Sequence, residues 1–220
     1  MLNAHSRPNA QRPMPNPQSP IQNPGIQNPK SGHPKSPIPS DPFLRGAEYL
    51  NALRRLALHP EAIGVADDIN QRIRICTWIG HNIDAVNAEL SACLDACHSC
   101  FYPQDRRVMR ILAAPLAGEF GVDALCNIQA EPVAILIDAG RIHPQDWLSV
   151  VAHEYAHAHL GAPGHDRRFL AVISHLCLGL GLDLPVWDQG WEEAQREAWL
   201  RNWPHCRPTP DPLAFWKGGA

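Results

Sequence analysis

The sequence predicts an α+β fold, in which helices come before and after a small mixed β-sheet in the chain. Apolar residues recur at helical spacing over 43–100 and again after Asp146, and short runs of strand character lie between these regions. The chain has 220 residues, 45% of them hydrophobic, so it can bury one core of ordinary size. Helices, strands and then helices are the order typical of the α+β class.

The N-terminal part differs in composition from the rest of the chain. Residues 1–42 are rich in Pro, Asn, Gln and Ser, and short units such as QNP and PKS recur. Such a segment buries too little apolar surface to offset the entropy of ordering. We therefore predict a disordered Pro-rich tail at 1–42, which serves as a spacer or as a docking site for a proline-recognising partner. One domain is predicted at 43–220.

Helices and strands follow from periodicity. A first helix is predicted within 43–60, where one stripe is formed by Leu44, Tyr49, Leu53 and Leu56. Helical spacing continues over 61–100, and we predict two helices there. The following segments are short and apolar and predict strands, at 106–115, 122–129 and 132–140.

The helix after the strands has clear start and stop signals. Pro144 suits a first helical position, Asp146 lies in the first turn, where an acidic side chain is favoured, and Gly161 suits the end. Two further helices are predicted within 166–182 and 188–204, and the remaining residues are again rich in proline.

The net charge and the number of cysteines indicate which partners and which cellular compartment to expect. The net charge is −3 and no block of Lys and Arg occurs, which argues against nucleic acid or an anionic membrane as a partner. No apolar run reaches the about 18 residues of a membrane span, and the first residues lack the apolar stretch of a secretory signal. Seven cysteines without such a signal indicate reduced thiols. We expect a cytoplasmic protein that binds neither membrane nor nucleic acid.

The helix at 143–161 contains the pattern His-Glu-x-x-His, formed by His153, Glu154 and His157. Residues four apart lie one above the other on a helix, so both imidazoles project from one face. Zinc binds neutral imidazole nitrogens at about 2.0–2.1 Å. Glu154 lies about 100° round the helix from His153. From there its carboxylate can take a proton from a zinc-bound water, as a general base does.

The remainder of this helix indicates one face for the core and one for chemistry. The side away from the histidines carries an apolar stripe that suits packing on the sheet, made of Leu148, Val151, Tyr155 and Ala158. Two imidazoles and a carboxylate are costly to bury in an apolar helix, and a metal ion in a cleft removes that cost. The alternative is two hydrogen-bonded histidines without an ion.

A catalytic zinc needs a third protein ligand. Pro163 and Gly164 predict a turn after the helix, and His165 follows at the start of the next helix, where its imidazole can approach the metal. Phe169, one turn further, is expected to anchor that helix in the core. Asp166 is a candidate for orienting a ligand.

Other third ligands remain open. A glutamate would give a two-histidine, one-glutamate site, and the candidates are Glu192, Glu193 and Glu197. Cys126 would give a His-His-Cys site. We predict ordinary roles for His159, which lies off the histidine face, and for His143, in the loop before the helix.

The run HEYAH followed by GHDRRF resembles the zincin metallopeptidases, nearest to the SprT-like and WLM groups, in which HExxH precedes a Gly-His or Pro-His and an aromatic residue. The similarity covers about 108–182. It implies a zincin-like fold, zinc bound by His153, His157 and His165, and Glu154 as the catalytic residue. It also implies a substrate chain extended along an edge strand, here 132–140. The chain lacks the cysteine-rich zinc module and basic face of DNA-linked SprT-like proteins.

A cysteine triplet offers a different metal hypothesis. Cys93, Cys97 and Cys100 have the C-x3-C-x2-C spacing that holds a [4Fe–4S] cluster in radical-SAM enzymes. The same spacing places the three on one helix face, where cysteine packs well. We favour buried thiols, because the segment is helical rather than a loop after a strand.

The sequence thus predicts a zinc metallopeptidase, a hydrolase acting on a peptide or protein substrate. The alternatives are a zinc-binding, non-catalytic scaffold whose Pro-rich tail recruits partners, and the iron–sulfur protein. No oxyanion stabiliser is identified, since Tyr155 is expected to point to the core. Arg167 and Arg168 are the only suggestions for that role.

Overall fold

The computed structural model describes residues 41–65, 67–188 and 190–219. The predicted tail at 1–42 therefore lies outside the described residues, except for its last two positions. The described part is α+β, as the sequence predicts, with six α-helices and a three-stranded mixed sheet. These are α1 (Pro42–Leu56), α2 (Ile69–Ser99), β1 (Met109–Ala113), β2 (Ala124–Asn127), β3 (Val133–Ile137), α3 (Trp147–Leu160), α4 (Arg167–Leu180), α5 (Glu193–Arg201) and α6 (Pro212–Trp216).

The helical region before the sheet forms one long helix rather than the two predicted. Helix α2 runs unbroken for 31 residues after Asp68, whose side chain accepts a hydrogen bond from the backbone N–H of Gln71. Gly80 does not interrupt it, because α1 lies so close there that a Cβ would overlap the backbone carbonyl of Pro42. The glycine therefore allows α1 and α2 to pack closely and does not break the helix.

The three strands lie in the order β1-β3-β2, with β1 parallel and β2 antiparallel to β3. All five residues of β3 are buried, whereas the four residues of β2 are half-buried. The prediction that 132–140 holds an edge strand is therefore wrong, since β3 is central. A continuous apolar run suits a strand that is buried on both faces, as β3 is. Among the described strands, β2 and β1 form the edges.

Helix α3 is buried along almost its whole length. It follows a short 3₁₀ turn at Pro144–Asp146 and ends at Gly161, which has a positive φ of 65°. Every residue from Val150 to Ala158 is buried. Strands β2 and β3 and helices α2 and α4 all contact it. The predicted division into one core face and one open face therefore holds only in part, because other elements cover most of the histidine side as well.

The core-facing side of α3 is fixed by an aromatic contact. The hydroxyl of Tyr155 lies 3.0 Å from Nδ1 of His98 on α2, and its ring stacks on Phe101. Tyr155 thus points into the core, as predicted. None of the described helices has both the length and the apolar character needed to cross a membrane.

The C-terminal segment, residues 201–219, folds back along the connection between β3 and α3. Arg207 makes a bidentate ion pair with Asp146 and also donates its backbone N–H to that carboxylate. Thr209 donates its backbone N–H to the carbonyl of Arg141 at 2.9 Å. The short helix α6, which the proline-rich sequence did not predict, ends this segment. Asp146 thus binds the segment and does not cap α3.

Asp138, which follows β3, holds the C-terminal segment through a hydrogen bond from Trp216. Its carboxylate is 2% exposed and accepts hydrogen bonds from four donors, which are Leu116 N, Gly140 N, Arg141 Nε and Trp216 Nε1, at 2.8–3.1 Å. Burial raises the pKa of Asp138, and these donors oppose the rise. All four are donors, so they favour the ionised carboxylate.

Replacing Asp138 with Asn should lower the free energy of unfolding by about 2–3 kcal/mol, because the new amide N–H₂ would face a buried donor and leave it without an acceptor. Urea-induced unfolding followed by circular dichroism measures this. Asp84→Asn is the matched control, since the Asp84 side chain is 77% exposed in its ion pair with Arg45. That control should cost less than about 1 kcal/mol. Equal losses in both variants would contradict the role given to Asp138.

Candidate metal centre

Three imidazoles converge on one point beside α3. The Nε2 atoms of His153 and His157 are 3.2 Å apart, and Nε2 of His165 lies 3.1 Å from the first and 3.2 Å from the second. A tetrahedral zinc ion with nitrogen ligands at 2.0–2.1 Å would separate those nitrogens by about 3.3 Å. The nearly equal sides of this triangle fit such an ion. This His group could therefore hold a metal ion.

Local structure accounts for the approach of His165. Gly161 ends α3 in the left-handed conformation, and the chain then turns back before α4 begins. Asp166 caps α4 by accepting hydrogen bonds from the backbone N–H groups of Arg168 and Phe169. This cap places His165 immediately before the helix. Asp166 thus acts on the backbone of α4, and the idea that its carboxylate orients a ligand is not supported by its contacts.

Hydrogen bonding sets the tautomer of one imidazole. Nδ1 of His157 lies 3.0 Å from the carbonyl of Ala162, so Nδ1 carries the proton and donates it. The lone pair on Nε2 then faces the centre of the triangle, as a metal ligand requires. Nδ1 of His153 is buried and has no hydrogen bond of normal geometry. Burial lowers the pKa of His153, and the nearby backbone of Trp203 opposes this change with a smaller effect.

The surroundings keep the imidazoles neutral. Burial, with the neighbouring His157 and His165, lowers the pKa of His153 to about 3. Burial, with His157 and Arg201, lowers the pKa of His165 to about 4, and burial also lowers the pKa of His157. Neutral imidazoles have free lone pairs, and three such lone pairs directed at one point repel each other unless a cation lies between them.

Phe169 supports all three rings from one side. It is fully buried, and its ring centroid lies 5.0 Å from that of His153, 4.6 Å from that of His157 and 4.7 Å from that of His165. Its position on the first turn of α4 agrees with the predicted anchoring role. The apolar ring restricts the rotamers of the imidazoles and keeps water from that side of the site.

Glu154 lies next to the triangle but is not part of it. Only 9% of the residue is exposed, yet it lines a cleft that also exposes His153, His157 and His165. Burial raises the pKa of Glu154 to about 8. Within the described residues its carboxylate has no ion-pair partner. A carboxylate with a raised pKa beside an open metal position is suited to proton transfer.

The cleft has a volume of about 770 Å³, and three parts of the chain supply most of its lining. Its floor is α3, through Val150, His153, Glu154 and His157. One wall consists of β2 and most of the residues at 121–129. The other wall is the start of the C-terminal segment, residues 201–206. Sequence reasoning did not identify this second wall, because nothing local in 201–206 indicates that it returns to α3.

The alternative third ligands lie elsewhere. Cys126 on β2 lines the cleft, and burial, together with the nearby Glu154, raises the pKa of its thiol, but it is outside the His group. The three glutamates of α5 and its start have other positions. Glu192 caps α5, Glu193 pairs with Arg167 at 3.5 Å, and Glu197 borders a separate small pocket.

Four further residues have ordinary structural positions. His159 stacks on Phe101, and His143 accepts a hydrogen bond from the backbone N–H of Gln145 at the turn before α3, so both predictions are in line with the contacts. Arg167 and Arg168 are exposed and pair with Glu193 and Asp166. Neither arginine lines the cleft.

The cysteine triplet lies at the C-terminal end of α2. Burial raises the pKa of all three thiols, most strongly that of Cys97, which is fully buried. In the described part of the chain, the three imidazoles are the only His, Cys, Asp or Glu ligand atoms to converge as a possible metal group. Packed, protonated thiols are therefore the interpretation that fits, rather than an iron–sulfur site.

Comparison of the chain with models of protein families, with curated proteins and with solved structures finds no match. The function therefore has to be inferred from the arrangement of the chain's own side chains.

Proposed function

We propose that this protein is a zinc-dependent metallopeptidase that hydrolyses peptide bonds. The observation that supports it best is the triangle of Nε2 atoms, with sides of 3.1–3.2 Å, beside Glu154 in an open cleft. Catalytic zinc sites have three protein ligands and one open position, and a cleft beside three imidazoles provides that opening.

The ligand set favours zinc among the common metals. Three neutral imidazoles form a nitrogen site, whereas Mg²⁺ and Ca²⁺ prefer oxygen ligands. When bound, zinc lowers the pKa of a water and polarises a carbonyl oxygen. Glu154 is adjacent to His153 and shares the cleft with it, so its carboxylate can accept the proton of the attacking water and pass it to the leaving amine.

An extended substrate has a suitable strand in β2. This strand pairs with β3 on one side, lines the cleft through three of its four residues and has no other strand partner among the described residues. An added peptide strand could hydrogen-bond to its free edge, which is a common way to bind peptides. Strand β2 thus replaces 132–140 as the proposed substrate-binding edge.

Membership of the zincin metallopeptidases, nearest to the SprT-like and WLM groups, belongs to the same proposal. The HExxH pattern on a buried helix and a third histidine before the next helix support it. Partner docking by a Pro-rich tail concerns residues 1–40, which lie outside the described residues.

Removal of the metal tests the proposal as a whole. Treatment with 1,10-phenanthroline should lower hydrolysis of a mixed peptide library by at least about tenfold, because Glu154 alone cannot lower the pKa of the water or polarise the scissile carbonyl as the ion would. Addition of zinc after dialysis should restore the rate. Non-chelating 1,7-phenanthroline is the control and should change nothing. A zinc-containing protein that cleaves no peptide would instead support the non-catalytic scaffold.

A further inference from the structure

The charged residues that line the cleft are unevenly distributed. Among the described lining residues, the Asp, Glu, Lys and Arg side chains are Asp123, Glu154 and Arg201. Asp123 lies just before β2, and Glu154 lies on α3, in the floor. Arg201 is the last residue of α5 and belongs to the opposite wall. The guanidinium is thus the one permanently charged cation on the described lining.

Arg201 has no protein partner that accounts for its place at the cleft. The residue is exposed, and no carboxylate of the described residues lies within ion-pair distance of it. A basic residue in the last turn of a helix interacts favourably with the helix dipole, but this does not require it to line a cleft.

We propose that Arg201 determines substrate specificity by binding a carboxylate of the peptide, and this inference rests on the proposed peptidase function. A guanidinium binds a carboxylate with two parallel hydrogen bonds, which gives both affinity and orientation. Arg201 and the three imidazoles line the same cleft, so a peptide bound at the metal centre can reach the guanidinium.

The other lining residues define the rest of the substrate class. Most of the side chains on the two walls are apolar, including Val122, Leu125, Ile128, Trp203 and Pro204, and Leu58 also lines the cleft. Such walls accept apolar side chains and leave Arg201 as the group that distinguishes one peptide from another. The substrate is therefore an apolar peptide segment with one carboxylate, supplied by an acidic side chain or by the C-terminus of the peptide.

The experiment uses a library of quenched hexapeptides in four forms. One position is fixed as Glu or Gln, and the C-terminus is a free acid or an amide, so the two sources of a carboxylate are separated. The wild-type protein should cleave the form with the recognised carboxylate with a kcat/KM about tenfold higher than its neutral counterpart. Arg201→Gln should lose this preference, and Arg201→Lys should keep part of it, since the charge remains and the planar fork does not.

Controls separate this inference from the peptidase proposal. Arg74→Gln removes an exposed arginine of α2 that does not line the cleft and should behave as wild type. Zinc-loaded Glu154→Gln protein, studied by fluorescence polarisation with the same four peptide forms, reports recognition without hydrolysis. A carboxylate preference in binding without any cleavage by wild type would reject the peptidase and leave only the binding of a peptide carboxylate by Arg201. Cleavage without a carboxylate preference, or a preference that survives in Arg201→Gln, would overturn the inference alone. If the protein neither bound nor cleaved any of the peptides, both proposals would be overturned.

Discussion

Replacing Glu154 with Gln should reduce peptide hydrolysis by at least about a hundredfold and leave the zinc content unchanged. Gln has nearly the same shape as Glu, so the buried helix should not be disturbed. It cannot accept a proton, however, and the attacking water would lose its base. Glu154 lies outside the His group, which is why the change should not affect metal binding. Initial rates on the peptide library, with elemental analysis of the same preparations, measure both effects.

Glu89→Gln provides a matched control for this experiment. Glu89 is an exposed residue of α2 and lies outside the cleft, so its replacement should change neither rate nor zinc content. If Glu154→Gln retained more than about a tenth of the wild-type rate, general-base catalysis by this residue would be wrong. Zinc loss in that variant would mean that the carboxylate acts at the metal itself.

Replacing any of His153, His157 or His165 with Ala should weaken zinc binding by more than about a hundredfold. Loss of an outer-shell partner of a ligand already costs 10–100-fold, and loss of a direct ligand should cost more. Each variant should therefore be purified with less than stoichiometric zinc. Competition with a chromophoric chelator measures the dissociation constant for all three.

Thermal unfolding adds a second readout to the histidine series. Zinc should raise the melting temperature of the wild-type protein, because it binds the folded state. That rise should be absent or much smaller in the three variants. His81→Ala, at an exposed position on α2, is the control and should keep the full effect. If His165→Ala bound zinc as tightly as the wild type, the third ligand would have to be sought elsewhere, and Cys126, which lines the cleft, would be tested next.

The two proposals depend on different parts of the molecule. Metal binding depends on α3 and the start of α4, where Phe169 and the Asp166 cap hold the imidazoles in place. Specificity depends on Arg201, in the wall formed by the C-terminal segment. That segment is held by Asp138 and by the Asp146–Arg207 ion pair, neither of which belongs to the His group. Variants in the two parts should therefore separate metal loss from altered peptide preference.

Local features of the chain could be predicted because they depend on residues close in sequence. The spacing of His153 and His157 places two imidazoles on one helical face by backbone geometry alone. Gly161 marks the end of α3 because only a residue tolerant of positive φ suits that position. The order of helices and strands likewise followed from apolar periodicity. The prediction of two helices within 61–100 was wrong, and the reason that a glycine lies in the middle of α2 is its contact with a neighbouring helix, which local sequence does not show.

The sequence by itself determined the helix, its two histidines and the glutamate between them, since all are set within a few turns of one backbone. Only the tertiary structure decided that His165 reaches the same point to within 3.1–3.2 Å, that β2 and not β3 is the strand beside the cleft, and that Arg201 lines the opposite wall. Segments far apart in the chain meet according to how the whole core packs, and no short window of sequence carries that information.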